Sequence, residues 1–347
     1  MNASRLLLLL IAAVAALLLV VFADFATKPA AAGWLAGFVF WCGPPLGSLV
    51  WKMIHRVTGG QWGIALDSVF TSASAMIPVM AVLLIPTLLA MPLLYPWMHA
   101  AGDVIPSVSR LYLNVPAFVA RSVVAFVGWS LLAIALPRTP GPHGTLLAAV
   151  GLVFYGVLIS LIPIDWILSL EHPFISESFG ASVAFTQLIA ALAWAAVLAP
   201  AESQGVEGDL GGLLLATVLG ITYIDYMAVL VIWYGDLPDK VFWFVERDQR
   251  LWSLIAVAAF VLVSLVPIAS LLLTRVRTNR QALRVIGLVE LVGLAVYNAY
   301  LIVPPFGWLA LVAAALTVIA IGALFMVFML TGRPAVATNR QRSVDVH

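Results

Sequence analysis

Runs of about twenty apolar residues, broken by short polar joints, dominate this chain. A helix rising 1.5 Å per residue needs roughly 20 such residues to cross the hydrocarbon core of a bilayer. Ten runs approach or exceed that length, at 6–22, 30–51, 64–90, 115–136, 146–170, 179–199, 210–234, 251–273, 284–303 and 308–330. Backbone groups in lipid must find their hydrogen bonds within their own segment or in a closed barrel. No barrel-like spacing interrupts these runs. The pattern predicts an all-α polytopic membrane protein, with 1–347 forming a single integral membrane domain. The first run follows Arg5 and ends in small residues, as a signal peptide does. It is longer than the ~7–15 residue core of such peptides, and reads as the first membrane helix.

Two of the joints are longer than a tight turn. Residues 94–114 and 234–252 mix Trp and Tyr with charged and polar residues, which predicts short amphipathic pieces at headgroup level. Leu237-Pro238-Asp239 has the form of a helix start. The tail at 332–347 is polar.

Composition strengthens this picture. The 347 residues are 63% hydrophobic and 10% charged, with a mean hydropathy of +1.10. A soluble domain carries about 25% charged residues. The net charge of +1 implies no nucleic-acid partner. Cys42, the single cysteine, can form no internal disulfide, and iron–sulfur clusters typically take four. The five histidines all fall outside the predicted spans, so a haem between helices would lack axial ligands from this chain. Metal-spaced clusters, a P-loop, a dinucleotide fingerprint and a nucleophile elbow are also absent from the sequence. Any redox chemistry therefore calls for a partner.

Lys and Arg in the joints give an orientation. With the N-terminus in the cytoplasm, eleven fall on the cytoplasmic side and five on the outer side, which places both termini inside. The purely acidic joint at 202–209 is the one dissenter, and acids weigh little in this rule.

Charge within the spans is rare and costs about 2.5–3.5 kcal/mol at the bilayer centre on insertion scales. One stretch concentrates it: 163–180 holds Asp165, Glu171, His172 and Glu177 where one apolar run gives way to the next. Elsewhere Asp67, Arg121, Gln187, Asp225, Glu290 and Asn298 fall inside spans. Asp67 reads either as an interfacial acid near a helix N-terminus or as a polar step inward. Arg121 reads as a snorkelling side chain, a structural partner of Asp165, or part of a site. Asp225 and Glu290 lie deeper and are candidates for a proton path, with Asn298 on the same face as Glu290.

Five blocks follow one another in a recognisable order: His55 to Trp62 (HRVTGGQW); Tyr95-Pro96-Trp97 with Tyr112-Leu113-Asn114 and Phe118 to Arg121; Asp165-Trp166 through Glu171; Asp209-Leu210-Gly211 with the Tyr223 region; and Ile232-Trp233-Tyr234 through Asp236-Leu237-Pro238 to Arg247. Over about residues 50 to 305 the chain resembles the NrfD/polysulfide-reductase-like membrane subunits. Among them it is most similar to the F subunits of bacterial alternative complex III, a quinol:electron-acceptor oxidoreductase. The resemblance implies two four-helix bundles, at about 30–170 and 179–303, with the helices at 6–22 and 308–330 flanking them. It implies a bacterial inner-membrane location. The implied partners are an iron–sulfur protein, haem c proteins and a second NrfD-like subunit, with a terminal oxidase as a further candidate. Haem and clusters would sit in those partners, and quinone would be the ligand here. The family carries a basic–acidic pair near the start of its third helix, where this chain's third run offers Asp67 alone.

On that resemblance, Asp165 is the expected base for a quinol near the outer face. Arg121 would hold it ionised, His172 or Glu171 would pass protons outward, and Trp166 would line the ring slot. A second reading makes the chain a structural or proton-conducting subunit with no quinone site, with Asp67, Asp225, Glu290, Asn298 and Gln187 as polar steps. A third, a secondary transporter built on helices broken at Pro78 and Pro86, lacks any visible internal repeat.

Overall fold

The computed structural model describes residues 27–99, 112–171, 176–198 and 205–331. Among these there is no β-strand, and nine helices are long and apolar enough to cross a membrane. They are α1 (Lys28–Thr58), α2 (Gln61–Leu89), α3 (Val115–Ala135), α4 (Gly141–Trp166), α5 (Phe179–Leu198), α6 (Glu207–Tyr234), α8 (Arg250–Leu271), α9 (Arg280–Ile302) and α10 (Trp308–Thr331); the short α7 (Pro238–Val245) lies between α6 and α8. Each matches one of the runs predicted from 30–51 onward. The run at 6–22 and the tail at 332–347 lie outside the described residues.

The outward surfaces are those of a multi-pass membrane protein. Leu146, Val150, Val153 and Val157 form an exposed stripe along α4, and Val123, Val127 and Leu131 form another on α3. Exposed apolar stripes of that length suit lipid rather than water.

α1 is the centre of the fold. It packs against α2, α4, α5, α9 and α10, and its most apolar stretch is buried on every side. Three indoles tie it down, each donating its N–H to a carbonyl on a different helix: Trp34 to Leu83 (3.1 Å), Trp41 to Val318 (2.8 Å) and Trp51 to Leu188 (3.1 Å). Small residues let the neighbours approach, as is usual between membrane helices. A Cβ on Gly47 would lie 1.9 Å from the Gln187 carbonyl oxygen on α5, and one on Gly33 would lie 2.4 Å from the Ala313 Cβ on α10. α1 contacts α2, α3 and α4, while α5, α6, α8 and α9 are neighbours around a ring; contacts of α1 with α5 and α9, and of α4 with α5, join the two sets.

Prolines and polar caps shape the individual elements. α2 is interrupted at 75–76 and at Leu84, just ahead of Pro78 and Pro86. α3 starts where the Asn114 side chain accepts from the Ala117 N–H (2.9 Å), with Pro116 in its first turn. α9 starts the same way, with Asn279 accepting from Ala282 N–H (3.1 Å). Within α8 the turn Val261–Leu265 is π-helical and is followed by Pro267. Single π turns often sit at functional sites; this one faces the cavity described next.

Candidate functional site

Arg121 on α3 and Asp165 near the end of α4 form a two-pronged ion pair, with Nε to Oδ2 at 2.6 Å and Nη2 to Oδ1 at 2.8 Å. Asp165 is fully buried. The Arg121 guanidinium also donates to the Tyr112 carbonyl (2.9 Å) and lies 4.0 Å from the Tyr112 ring centre. Tyr112 belongs to the joint before α3, and its phenol, beside the pair, donates to the Leu161 carbonyl (3.2 Å). Burial first, then the Asp165 charge, pushes its pKa above the ordinary value. Trp166, the residue expected to line a ring slot, packs among aromatic rings. Its indole stacks on Phe126 (5.8 Å) beside Phe38 (5.4 Å), its N–H donates to Ser122 Oγ (3.0 Å), and its carbonyl accepts from Tyr95 (3.1 Å). A Trp whose ring is walled by two Phe rings has no face left for a ligand. The Trp166 ring therefore packs in an aromatic core beside the Arg121–Asp165 ion pair.

Glu171 follows on a 3₁₀ turn, Leu168–Glu171, and pairs with Arg247 from the segment after α7 (2.7 Å). Arg247 is buried, donates to the Trp243 carbonyl (3.1 Å) and lies 3.6 Å from the Trp243 ring centre. This contact holds α7 down over the α5–α9 group. His172, expected to relay protons from here, lies outside the described residues.

The open space lies on the other side of Trp243. A cavity of about 390 Å³ is bounded by α5, α6, α8 and α9 and roofed by Trp243 and Phe244 of α7. Its walls are apolar and aromatic, with Phe179, Phe260, Val263, Tyr226 and Tyr300 among them. That is within the ~300–1,000 Å³ range of small-molecule sites, which combine apolar walls with a few placed polar groups. The polar groups here converge on Asp225. Ser182 on α5 donates to its Oδ1 (2.7 Å), Tyr297 on α9 donates to its Oδ2 (2.9 Å), and the two hydroxyls are 3.0 Å apart. Thr222, one helical turn before Asp225, donates to Ser264 in the π turn (2.8 Å). The remaining lone pairs of a carboxylate leave room for one further donor. A crevice lined by Glu171, Phe179, Trp243 and Leu301 adjoins the cavity at its α7 end.

The other polar positions are dispersed. Gln187 accepts from the buried Tyr155 hydroxyl (2.8 Å). Glu290 is fully buried on α9, and neither carboxylate oxygen has a hydrogen-bond partner among the described residues. Asn298, also buried, donates to the Leu294 carbonyl of its own helix (2.8 Å). Asp67 is mostly exposed and lies 3.7 Å from Lys52, which donates to Thr71 (2.5 Å). Asp67 thus meets a cation from another helix, α1. Arg121 and Asp165 are brought together as one sequence reading expected, whereas Asp225 is separated from Glu290 in hydrogen bonding. Ser182, Tyr297, Ser264 and Lys52 are the residues that sequence reasoning missed. Ser182 and Ser264 look like ordinary helix–helix contacts in a sequence, and only the fold aims them at the cavity. No model of a known protein family matches this sequence. Comparison with curated proteins finds no relative either.

Proposed function

We propose that this chain is an integral subunit of a quinol:electron-acceptor oxidoreductase of the alternative complex III type, in a bacterial inner membrane with both termini in the cytoplasm. Its fold is then two four-helix bundles with flanking helices. In this reading the cavity at Asp225 receives the quinol ring. The observation that carries it is a carboxylate held by Ser182 and Tyr297 in the wall of an otherwise apolar, aromatic cavity between membrane helices. A lipid-soluble phenol needs that combination: apolar walls for ring and tail, and one base at its hydroxyl. Asp225 accepts one proton from the quinol, with Tyr297 and Ser182 orienting the carboxylate. Oxidation of a quinol releases two protons and two electrons, so Asp225 would pass the first proton on before accepting the second. The electrons would be taken up by haem or iron–sulfur centres in partner subunits, an iron–sulfur protein and haem c proteins, with a second NrfD-like membrane subunit alongside. Glu171 adjoins the cavity through the Trp243 crevice and is a proton exit candidate.

The test is quinol-dependent reduction of the acceptor by the assembled complex, purified through this chain. Asp225→Asn is expected to lower turnover by about 100-fold or more. Unchanged turnover removes the site from this cavity. A preparation that works without haem- or cluster-bearing companions removes the whole assignment.

A second reading rests on Glu290. A buried carboxylate without a partner is costly in a structural subunit and useful in a proton-conducting one. There, Glu290→Gln lowers the proton yield per electron while electron flow persists.

A further inference from the structure

At the opposite end of the helices from α7, the last turns of α1, the first turns of α2 and the turn joining α3 to α4 enclose a second, polar recess. We propose that it binds the phosphoryl headgroup of an anionic phospholipid, whose acyl chains lie in the groove between α2 and α4. The recess measures about 510 Å³, and Lys52, His55, Arg56, Asp67 and Thr139 are in its wall. An open space of about 1040 Å³ shares His55, Arg56 and Ile64 with it and continues along Leu146 and Ala149 of α4. Polar recess and apolar groove are thus one continuous depression. Ile64 and Leu146 are each more than 60% exposed, so the groove opens sideways, where lipid would lie.

Charge selects the headgroup. Lys52 and Arg56 bring two positive charges and Asp67 one negative, a net charge of +1 from these three. Lys52 is held inward by Thr71, with Asp67 at 3.7 Å and largely in solvent, where its hold on the amine is weak. Arg56 donates through one Nη to the Thr139 carbonyl (2.9 Å), which fixes the guanidinium at the rim. A guanidinium has five N–H donors, and its planar fork suits phosphate oxygens. At the mouth, Gly59 and Gly141 have φ of 77° and 62°, and a Cβ at either would meet nothing within 4 Å. The rim is therefore open. A small soluble anion would need the recess but not the groove; a phospholipid uses both. Basic pockets between membrane helices are a general form of lipid recognition.

Native mass spectrometry of the purified full chain tests this, with phosphatidylglycerol, phosphatidylcholine or inorganic phosphate as the added probe. Phosphatidylglycerol is expected to stay bound where phosphatidylcholine is lost. Each basic residue near a lipid headgroup contributes about a fivefold gain in affinity, so Arg56→Gln should weaken retention about fivefold and Lys52→Gln/Arg56→Gln about thirtyfold. Arg56→Lys should restore most of it. If the double variant is unstable on heating, Arg56→Gln alone decides, because Arg56 is at the rim. Equal retention of the two lipids, or retention unchanged in Arg56→Gln, overturns the proposal. Displacement of the lipid by inorganic phosphate at similar concentration also overturns it, and makes the recess a soluble-anion site.

Discussion

The Tyr297 hydroxyl on α9 donates to Asp225 Oδ2 on α6 at 2.9 Å, in the wall of the aromatic-lined cavity between α5, α6, α8 and α9. Ser182 on α5 completes the set, so three helices fix one carboxylate. Removing a single hydroxyl should disturb its orientation more than its presence. Tyr297→Phe is therefore expected to lower quinol turnover by about 10-fold, less than the ~100-fold or more expected for Asp225→Asn, since the base itself survives. The readout is turnover against quinol concentration in the assembled complex. Equal effects of the two variants would mean that Tyr297 does more than orient.

The pair of Arg121 and Asp165 calls for a different expectation. Both carboxylate oxygens face the guanidinium, Asp165 is fully buried, and Trp166 beside it is enclosed by Phe38 and Phe126. A closed pair of this kind acts on stability. Arg121→Met strands a buried charge and should cost about 3–5 kcal/mol, whereas Arg121→Met/Asp165→Leu should recover most of that loss. Thermal unfolding in detergent measures both. If Arg121→Met keeps full stability but loses turnover, Asp165 belongs to the chemistry after all.

Tyr112 gives a pH dependence at the same place. Burial and the Asp165 charge raise its phenol pKa above the ordinary value. A group with a raised folded pKa contributes stability below its unfolded pKa, about 10 for Tyr, and loses that contribution as pH rises beyond it. Wild type should therefore lose stability above about pH 10, and Tyr112→Phe should lose less. Melting temperatures across the alkaline range make the comparison.

Much of this fold can be read from the chain, and much of the site cannot, for separable reasons. Each helix from α1 to α10 that can cross a membrane announces itself as an apolar run, because lipid demands it. Boundaries slip where a polar first turn belongs to the helix: α9 begins at Arg280, four residues before the apolar run, because Asn279 caps it. The pairing of Arg121 with Asp165 is legible because each is a charge in a span that needs a partner. The Asp225 site is not, since Ser182 and Tyr297 come 43 residues before and 72 after it. The surroundings of Trp166 are not legible either, because an aromatic next to an acid looks the same in a sequence whether it faces a ligand or, as here, two Phe rings. Lys52 lies on the preceding helix, so scanning one run for a charge pair passes over it.

The approach of α1 to α5 is a packing feature with its own test. A Cβ at Gly47 would sit 1.9 Å from the Gln187 carbonyl oxygen, a backbone atom that cannot move aside alone. Gly47→Ala should force the helices apart and destabilise the protein by about 1–3 kcal/mol. Gly156 on α4 is the control: nothing lies within 4 Å of its added Cβ. Gly156→Ala should be neutral or stabilise by up to about 1 kcal/mol through helix propensity. Parallel thermal unfolding of the two variants settles whether the contact or the glycine content governs.

Glu290 separates the two functional readings. Neither of its oxygens finds a hydrogen bond among the described residues, yet it is fully buried on α9, on the same helix as Tyr297 of the Asp225 site. As a purely structural residue it would be a liability, and an apolar side chain of similar size should stabilise the fold by about 1–3 kcal/mol. As a proton carrier it would be indispensable however much the fold gained. Glu290→Leu tests both at once. Higher thermal stability is expected in either case. In a quinol-oxidising subunit whose only chemistry is at Asp225, turnover and the proton yield per electron both persist. In a proton-conducting subunit, electron flow continues while the proton yield falls. Proton release measured alongside acceptor reduction, in the complex reconstituted into sealed vesicles, distinguishes the outcomes because the two signals come from the same turnover.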